Sequence, residues 1–192
     1  MTDRYCVLGN PVAHSRSPAI HAAFARLCGE DISYQAILAP LDDFAGSVRD
    51  FVAGGGKGAN VTVPFKEEAF RLCDRLSERA ATAGAVNTLT FAAGSMLGDN
   101  TDGAGLVRDI VTNLAFPLAG RDILLLGAGG AARGVVGPLL AAAPSRLAIA
   151  NRSADKAVAL ARAFAGTVAV DAGNFADFAG RRFDLVINAT AA

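Results

Sequence analysis

One short segment carries the residue types that acid–base chemistry on a polar substrate requires: Asn60-Val61-Thr62-Val63-Pro64-Phe65-Lys66. In an extended chain alternate side chains share a face, so Asn60 and Thr62 would face a cavity while the valines enter a core. Pro64 suits the first position of a following helix, which would place Lys66 in the first helical turn. Lys66 is then either a solvated surface residue, since a cation opposes the helix dipole there, or an ammonium group held beside two polar side chains.

Asp102 is the second candidate for acid–base chemistry. It directly precedes an amphipathic helix and occupies the position of an N-cap, and capping alone explains an aspartate there. The alternative is that Asp102 and Lys66 point into one cleft. Both residues begin helices that follow strand ends, and open α/β sheets bind ligands beyond those ends.

Other polar residues have simple structural explanations. Ser17 before Pro18 predicts a helix with Ser17 as its N-cap, and Ser15 is interpreted as a loop residue. Asn87 lies where a turn enters a strand. The 2 histidines have no clustered partner ligands, which argues against a metal site.

Apolar strands alternate with amphipathic helices along the chain, which predicts an α/β fold with a mostly parallel sheet. The predicted strands include residues 5–8, 34–38, 60–63, 96–98, 123–126, 147–150, 168–170 and 185–188. Pro117 and Gly120 interrupt the chain between a helix and the next strand. We therefore predict two α/β domains, at residues 1–116 and at residues 117–192.

The second domain begins with a buried strand that runs into a glycine-rich turn and a helix. Gly127, Gly129 and Ala132 match the G-x-G-x-x-G/A dinucleotide fingerprint. The first glycine makes the tight turn, the second lets a pyrophosphate approach the backbone, and the third small residue packs helix on strand. The phosphates would then bind the N–H groups at the helix N-terminus.

The end of the next strand discriminates between the two nicotinamide cofactors. Asn151, Arg152 and Ser153 stand where an NAD-binding domain usually has an acidic residue. Arginine and serine suit a 2′-phosphate, and Lys156 adds positive charge one turn later. Asp155 is the counter-argument, but it falls inside the following helix. These residues predict NADP rather than NAD.

Composition excludes several classes of protein. The 192 residues carry 18 Lys+Arg and 18 Asp+Glu, a balance that argues against a general nucleic-acid binder. The apolar runs fall short of the roughly 20 residues that span a bilayer, and the N-terminus lacks the order of a signal peptide. Cys6, Cys28 and Cys73 are interpreted as reduced core residues, so we predict a cytoplasmic protein.

Together these motifs resemble the bacterial shikimate dehydrogenase family over the whole chain, and related quinate/shikimate enzymes share most of them. The matching blocks are residues 9–18, 60–66, 84–89, 100–103, 127–131, 151–152 and 188–190. The resemblance implies a reversible, NADPH-dependent reduction of 3-dehydroshikimate to shikimate, within the biosynthesis of chorismate and aromatic amino acids.

The resemblance also implies roles for individual residues, with Lys66 and Asp102 as the catalytic pair. The substrate would be held by Ser15, Ser17, Asn60, Thr62, Lys66, Asn87 and Asp102. NADP would be bound by Gly127, Ala128, Gly129, Gly130, Ala131, Asn151, Arg152, Ser153, Lys156, Thr190 and Glu78.

The residue types fit this chemistry independently. Hydride addition to a ketone makes an alkoxide, and an ammonium group within hydrogen-bonding reach supplies both a proton and charge stabilisation. A neighbouring carboxylate orients that ammonium and favours its charged form. A substrate dense in hydroxyl groups needs many serine, threonine and asparagine contacts.

Members of the family continue beyond the position at which this chain ends, so we expect its Rossmann-type domain to be incomplete. Two alternatives to the enzyme follow: a truncated, weakly active or inactive ligand-binding chain of the same fold, and a quinate-type polyol dehydrogenase. The oligomeric state stays open, with a homodimer as one option.

Overall fold

The computed structural model describes residues 2–164 and 170–190. These residues form two compact units, Met1–Asn100 and Thr101–Ala192. Each unit has its own sheet with helices packed on it, six strands in the first and four in the second. The predicted α/β class with mostly parallel sheets is confirmed.

The first unit is a mixed sheet in the order β2-β1-β3-β5-β6-β4. Its elements are β1 (Asp3–Gly9), α1 (Ser17–Cys28), β2 (Ile32–Leu38), α2 (Phe44–Ala53), β3 (Gly56–Val61), α3 (Lys66–Leu72), β4 (Arg75–Leu76), α4 (Glu78–Ala83), β5 (Thr88–Ala92) and β6 (Ser95–Asp99). Strands β1, β2 and β3 run parallel, and β4 runs parallel to β6. Only β5 is antiparallel to both of its neighbours, because a tight turn at Ala93-Gly94 joins it to β6.

The two faces of β1 divide the first unit into an apolar side and a more polar side. Cys6 and Leu8 enter a core with the buried aromatic rings of α2 and its neighbours. Phe65, which precedes α3, is 2% exposed and belongs to the same core. Burial of a phenylalanine contributes roughly 1.5–3 kcal/mol, so this residue anchors the segment that carries Lys66.

The second unit is an all-parallel sheet in the order β10-β7-β8-β9. Its elements are α5 (Asp102–Arg108), which continues as a π-helical turn (Asp109–Asn113), β7 (Asp122–Leu126), α6 (Gly130–Ala141), β8 (Arg146–Ala150), α7 (Ala154–Ala163), β9 (Val170–Gly173), a 3₁₀ turn (Phe175–Phe178) and β10 (Leu185–Asn188). Residues 147–150 of β8 are all buried, as expected for a strand covered on both faces.

Helix α5 packs closely on α6 within the second unit. A methyl group at Gly103 would lie 2.3 Å from the carbonyl oxygen of Gly134 and 2.6 Å from the ring of Pro138, so only glycine fits there. The division between the compact units therefore falls in the chain between Asn100 and Thr101, whereas the sequence-based boundary lies at residues 116/117. The assignment of substrate binding to residues 1–116 and of NADP binding to residues 117–192 stays a prediction.

Two other expectations need correction or restriction. Cys28 is exposed, so its interpretation as a core residue is wrong. Cys6 is buried and Cys73 partly buried, and burial raises the pKa of these thiols to about 12 and about 11. The strand predicted at residues 168–170 begins outside the described residues, and its described part extends to Gly173.

Candidate active site

Lys66 is the first residue of α3, and its backbone is fixed from both sides. The N–H of Phe65 donates to the carbonyl oxygen of Thr62 at 3.0 Å, which makes a turn directly before the helix. Pro64 lies in this turn, so its predicted place as the first helical residue is wrong. The carbonyl oxygen of Lys66 accepts from the N–H of Val86 at 2.8 Å, which ties α3 to the segment leading to Asn87.

Asn60 and Thr62 lie on the same face of the sheet. Asn60 pairs with Val7 of β1, and Val7 shares its face with Gly9. A methyl group at Gly9 would lie 2.3 Å from Cγ2 of Thr62. Glycine at this position therefore makes room for the Thr62 side chain at the end of β3.

The amide of Asn60 is engaged at both ends. Its Oδ1 accepts from the hydroxyl group of Tyr34 at 2.6 Å. Its Nδ2 donates to the carbonyl oxygen of Asn87 and to Oγ1 of Thr88, both at 3.4 Å. Thr88 in turn donates to Oδ1 of Asn87 at 2.8 Å. The structure thus brings Asn60 and Asn87 together through Thr88.

The N-terminus of α1 differs from the prediction by one residue. Arg16 holds the N-cap position and Ser17 is the first helical residue, so the assignment of Ser17 as N-cap is wrong. Oγ of Ser15 accepts from the N–H of Ser17 at 3.3 Å, so Ser15 has a role beyond that of a plain loop residue.

Tyr34 and His21 complete this part of the site. Their rings stack with centroids 4.2 Å apart and an interplanar angle of 6°. Burial raises the pKa of Tyr34, against a smaller lowering by the Ser17 hydrogen bond. Burial lowers the pKa of His21, while a hydrogen bond to Asn60 opposes that shift.

Asp99 collects hydrogen bonds at the end of β6. Its carboxylate accepts from the hydroxyl group of Ser77 at 2.5 Å, from the N–H of Asn100 at 2.8 Å and from both sides of the Arg79 guanidinium. Hydrogen bonding to Arg79 is the main cause that holds the pKa of Asp99 at about 2. The backbone carbonyl oxygen of Asp99 also accepts from the N–H of Asn87 at 3.0 Å, so the backbone of Asp99 supports a predicted substrate residue.

Asp102 and Glu78 each stand at the start of a helix. Thr101 holds the N-cap position of α5 and Asp102 follows as the first helical residue, so its assignment as N-cap is wrong. Asp102 is half-buried, whereas Glu78 is exposed as the first residue of α4. Glu78 lies in the first unit, while the other predicted cofactor residues lie in the second.

The glycine-rich turn of the second unit lies where three strand ends meet. The N–H of Gly127 donates to the carbonyl oxygen of Ala150 after β7, and the N–H of Ala189 donates to Leu126, both at 2.8 Å. Gly127 has φ +110°, and a methyl group there would lie 2.8 Å from the carbonyl oxygen of Ala189. Glycine is therefore required for both conformation and space.

The remaining positions of this turn leave open space at the N-terminus of α6. Gly129 is the N-cap, and a methyl group there would meet no atom within 4 Å. Gly130 and Ala131 open the helix, Ala128 is buried behind the turn, and Ala132 is fully buried on the sheet side. Unpaired N–H groups at the start of a helix favour an anion, so this end of α6 fits a pyrophosphate.

The ends of β8 and β10 supply the other predicted cofactor residues. The N–H of Asn151 donates to Gly173 at 3.1 Å, and its side chain donates to the carbonyl oxygen of Ser153 at 3.0 Å. Arg152 and Lys156 are exposed and bring positive charge to this corner. Thr190 donates through its N–H and hydroxyl group to Oδ1 of Asn188, at 3.0 and 2.7 Å. These donors fit a phosphorylated dinucleotide.

Comparison with known proteins identifies the family. The chain matches the family model described as "Shikimate dehydrogenase substrate binding domain" at residues 7–89, and that described as "Shikimate / quinate 5-dehydrogenase" at residues 109–192. It is 67% identical to the "Shikimate dehydrogenase (NADP(+))" of Dechloromonas aromatica, over 100% of this chain and 70% of that protein. The corresponding protein of Aromatoleum aromaticum is 64% identical, over 99% of this chain and 69% of its own length. The chain belongs to the shikimate dehydrogenase family.

Solved structures agree with this membership of the shikimate dehydrogenase family. An Ael1 enzyme from Pseudomonas putida is 48% identical with a TM-score of 0.89, covering 100% of this chain and 70% of that one. Shikimate 5-dehydrogenase from Thermus thermophilus, solved in complex with NADP(H) and shikimate, is 36% identical with a TM-score of 0.86, covering 98% of this chain and 69% of that one.

Two further features concern metal ligands and membrane-spanning helices. Across residues 2–164 and 170–190, no three histidine, cysteine or acidic side chains come together as metal ligands. No helix in the same part of the chain has the length and apolar character needed to cross a membrane.

Proposed function

We propose that this chain is an NADP-dependent oxidoreductase that reversibly reduces 3-dehydroshikimate to shikimate. This reaction would serve the biosynthesis of chorismate and aromatic amino acids. The observation that carries the proposal is the 67% identity, along its whole length, to a shikimate dehydrogenase (NADP(+)). The substrate is then a small carboxylated polyol, and no nucleic acid or membrane takes part.

NADP is the cofactor that the second unit fits. The turn from Gly127 to Ala131 would hold the pyrophosphate, and Asn151, Arg152, Ser153 and Lys156 would hold the 2′-phosphate. Thr190 and Glu78 would contact the cofactor elsewhere. The bound cofactor supplies or accepts the hydride, and every proton transfer is left to the protein.

Lys66 carries the proton transfer in this proposal. As the carbonyl carbon of 3-dehydroshikimate is reduced, the developing alkoxide receives a proton from Nζ of Lys66. In the reverse direction the neutral amine takes the proton from the shikimate hydroxyl group. Asp102 acts as the partner carboxylate that orients the lysine and favours its charged form. Placement of Lys66 at the first position of α3, with its backbone fixed, supports this assignment.

The hydroxyl groups and carboxylate of the substrate are assigned to the polar residues of the first unit, Ser15, Ser17, Asn60, Thr62 and Asn87. Oγ of Ser15 accepts from the backbone N–H of Ser17, and Nδ2 of Asn60 donates to the backbone carbonyl oxygen of Asn87. These bonds fix the directions of the Ser15 and Asn60 side chains, and fixed donors and acceptors discriminate between substrates with different hydroxyl patterns.

We also propose a cytoplasmic location and, as the assembly to test, a homodimer. The location is supported by the free state of Cys6, Cys28 and Cys73 and by the biosynthetic role. Sedimentation velocity of the complete natural polypeptide tests the dimer directly, since a monomeric profile at micromolar concentration would reject it.

The activity is tested with the complete natural polypeptide that contains residues 1–192. Shikimate and quinate are each supplied with NADP or NAD, and reduction of the cofactor is followed by absorbance. We expect efficient turnover with shikimate and NADP. Turnover with quinate in preference to shikimate would change the substrate, and no turnover with either would overturn the proposal.

A further inference from the structure

A chain of hydrogen bonds runs across one face of the first sheet and joins two residues proposed to hold substrate. It begins at Tyr34 of β2. Tyr34 donates to Oδ1 of Asn60 at 2.6 Å, and Nδ2 of Asn60 donates to Oγ1 of Thr88 at 3.4 Å. Thr88 donates to Oδ1 of Asn87 at 2.8 Å.

The order of donors and acceptors along this chain has one direction. The hydroxyl group of Thr88 accepts from Asn60 and donates to Asn87, so it uses its single proton on Asn87. The amide of Asn60 accepts at its oxygen and donates at its nitrogen. Each bond therefore determines the orientation of the next side chain, and aligned hydrogen bonds of this kind strengthen one another.

The sheet register places these side chains on a common face. Asn60 of β3 stands directly opposite Thr88 of β5. Tyr34 of β2 reaches past β1 to Asn60, and the stacked ring of His21 from α1 limits its movement.

These residues lie at an open surface rather than in a closed core. Tyr34, His21, Asn60 and Thr88 line a groove of about 640 Å³ on this face of the first unit. Tyr34 and Thr88 are half-buried in this groove, so water can take the place of a removed hydroxyl group. The main consequence of removing it is the loss of a fixed direction at Asn60 and Asn87.

We infer that Tyr34 and Thr88 are positioning residues for the substrate, because they hold the amides of Asn60 and Asn87 in one orientation. This inference rests on the proposed function. Neither residue is required to touch the substrate. An Asn87 amide with its oxygen held by Thr88 has one orientation, and a freely rotating amide would not discriminate donor from acceptor.

The test compares Tyr34→Phe with Tyr5→Phe in the complete natural polypeptide. Tyr5 is the other tyrosine of the chain, pairs with Tyr34 in the β1–β2 register and lines the same groove. We expect Tyr34→Phe to raise KM for shikimate on the order of three- to tenfold, the effect of losing the net contribution of one hydrogen bond. KM for NADP and the melting temperature should stay close to those of the unmodified protein, as should every parameter of Tyr5→Phe.

A second pair of variants tests the other end of the chain independently. Thr88→Val removes the hydroxyl group at nearly constant volume, and Thr88→Ser restores it. We expect Thr88→Val to raise KM for shikimate and Thr88→Ser to recover most of the loss. In the Tyr34→Phe/Thr88→Val double variant, the two effects should combine to less than the product of the single effects, because both act on the same amides.

The outcomes separate this inference from the proposed function. Without turnover of shikimate by the unmodified protein, the proposed function fails and the inference falls with it. With turnover, an unchanged KM for shikimate in both Tyr34→Phe and Thr88→Val would overturn the inference alone. If the variants raised KM for NADP as much as KM for shikimate and also lowered the melting temperature, these residues would have a structural role, and the inference would again be overturned.

Discussion

The ring of Phe65 stacks on the ring of Phe44, with centroids 4.6 Å apart and an interplanar angle of 13°. Phe44 belongs to α2 and Phe65 lies directly before α3, so this contact holds the start of α3 against the core. Lys66 is the next residue. The position of the proposed acid–base group is therefore set by an apolar contact on the opposite side of the backbone.

Phe65→Ala should destabilise the protein by about 3–5 kcal/mol, the usual cost of removing a buried aromatic ring. Denaturant unfolding measures this loss. Phe175→Ala is the control, because Phe175 is 47% exposed and its truncation should cost far less. A loss for Phe65→Ala no larger than that of the control would contradict the anchoring role.

Stability should fall in acid partly through Asp99. Its folded pKa of about 2 lies below the ordinary value of 3.8, so its contribution is complete above the ordinary value and is lost as pH falls towards 2. Asp99→Asn should remove this part of the pH dependence and cost on the order of 1–2 kcal/mol at neutral pH. Unfolding free energies measured from pH 5 to about pH 2 provide the test.

Asp42→Asn is the control for this experiment, since Asp42 is exposed in the loop before α2. Its pH dependence should follow that of the unmodified protein. If Asp99→Asn also retained the full acid dependence, the bidentate Arg79 interaction would not be the source of the shift.

Two glycines of the glycine-rich turn should respond differently to substitution by alanine. Gly127→Ala forces φ +110° on a residue with a side chain and brings a methyl group within 2.8 Å of Ala189, so the melting temperature should drop. Gly129→Ala meets no atom within 4 Å, so folding should be retained while the added methyl group weakens NADP binding. Calorimetric titration with NADP separates the two effects, and unchanged affinity in Gly129→Ala would reject the proposed pyrophosphate position.

Arg152 should determine the preference for NADP over NAD. Arg152→Ala would remove the charge-assisted hydrogen bond to the 2′-phosphate that we propose, so the ratio of kcat/KM for NADP to that for NAD should fall by about tenfold. Arg146→Ala is the matched control, because Arg146 is exposed at the opposite end of β8. An unchanged ratio in Arg152→Ala would move the phosphate site elsewhere.

Features encoded in local sequence were predicted well. The glycine-rich turn at residues 127–132 has one geometry between a strand and a helix, so its pattern already indicates both elements. Helix starts at Ser17 and Asp102 were wrong by one residue, because an N-cap and the next position differ only in backbone angles that neighbouring packing decides.

Features that depend on strand order could not be predicted. The hydrogen bonds of Tyr34 and Thr88 to Asn60 require β2 and β5 to flank the β1–β3 pair, an arrangement that no periodicity reveals. The pairing of Arg79 with Asp99 likewise joins α4 to the end of β6. In β2, a tyrosine at an alternating position is the signal from which a polar group on that face could be predicted.

We propose that Lys66 transfers the proton in an NADP-dependent reaction on shikimate. Lys66→Ala should reduce kcat for shikimate oxidation by about 10²–10⁴-fold, the usual contribution of a general acid–base group. Lys57→Ala, which removes an exposed lysine from β3, should retain kcat. Steady-state kinetics of both variants in the complete natural polypeptide decide the question: loss of turnover confined to Lys66→Ala is the predicted result, and a Lys66→Ala variant with the kcat of the unmodified protein would contradict the account.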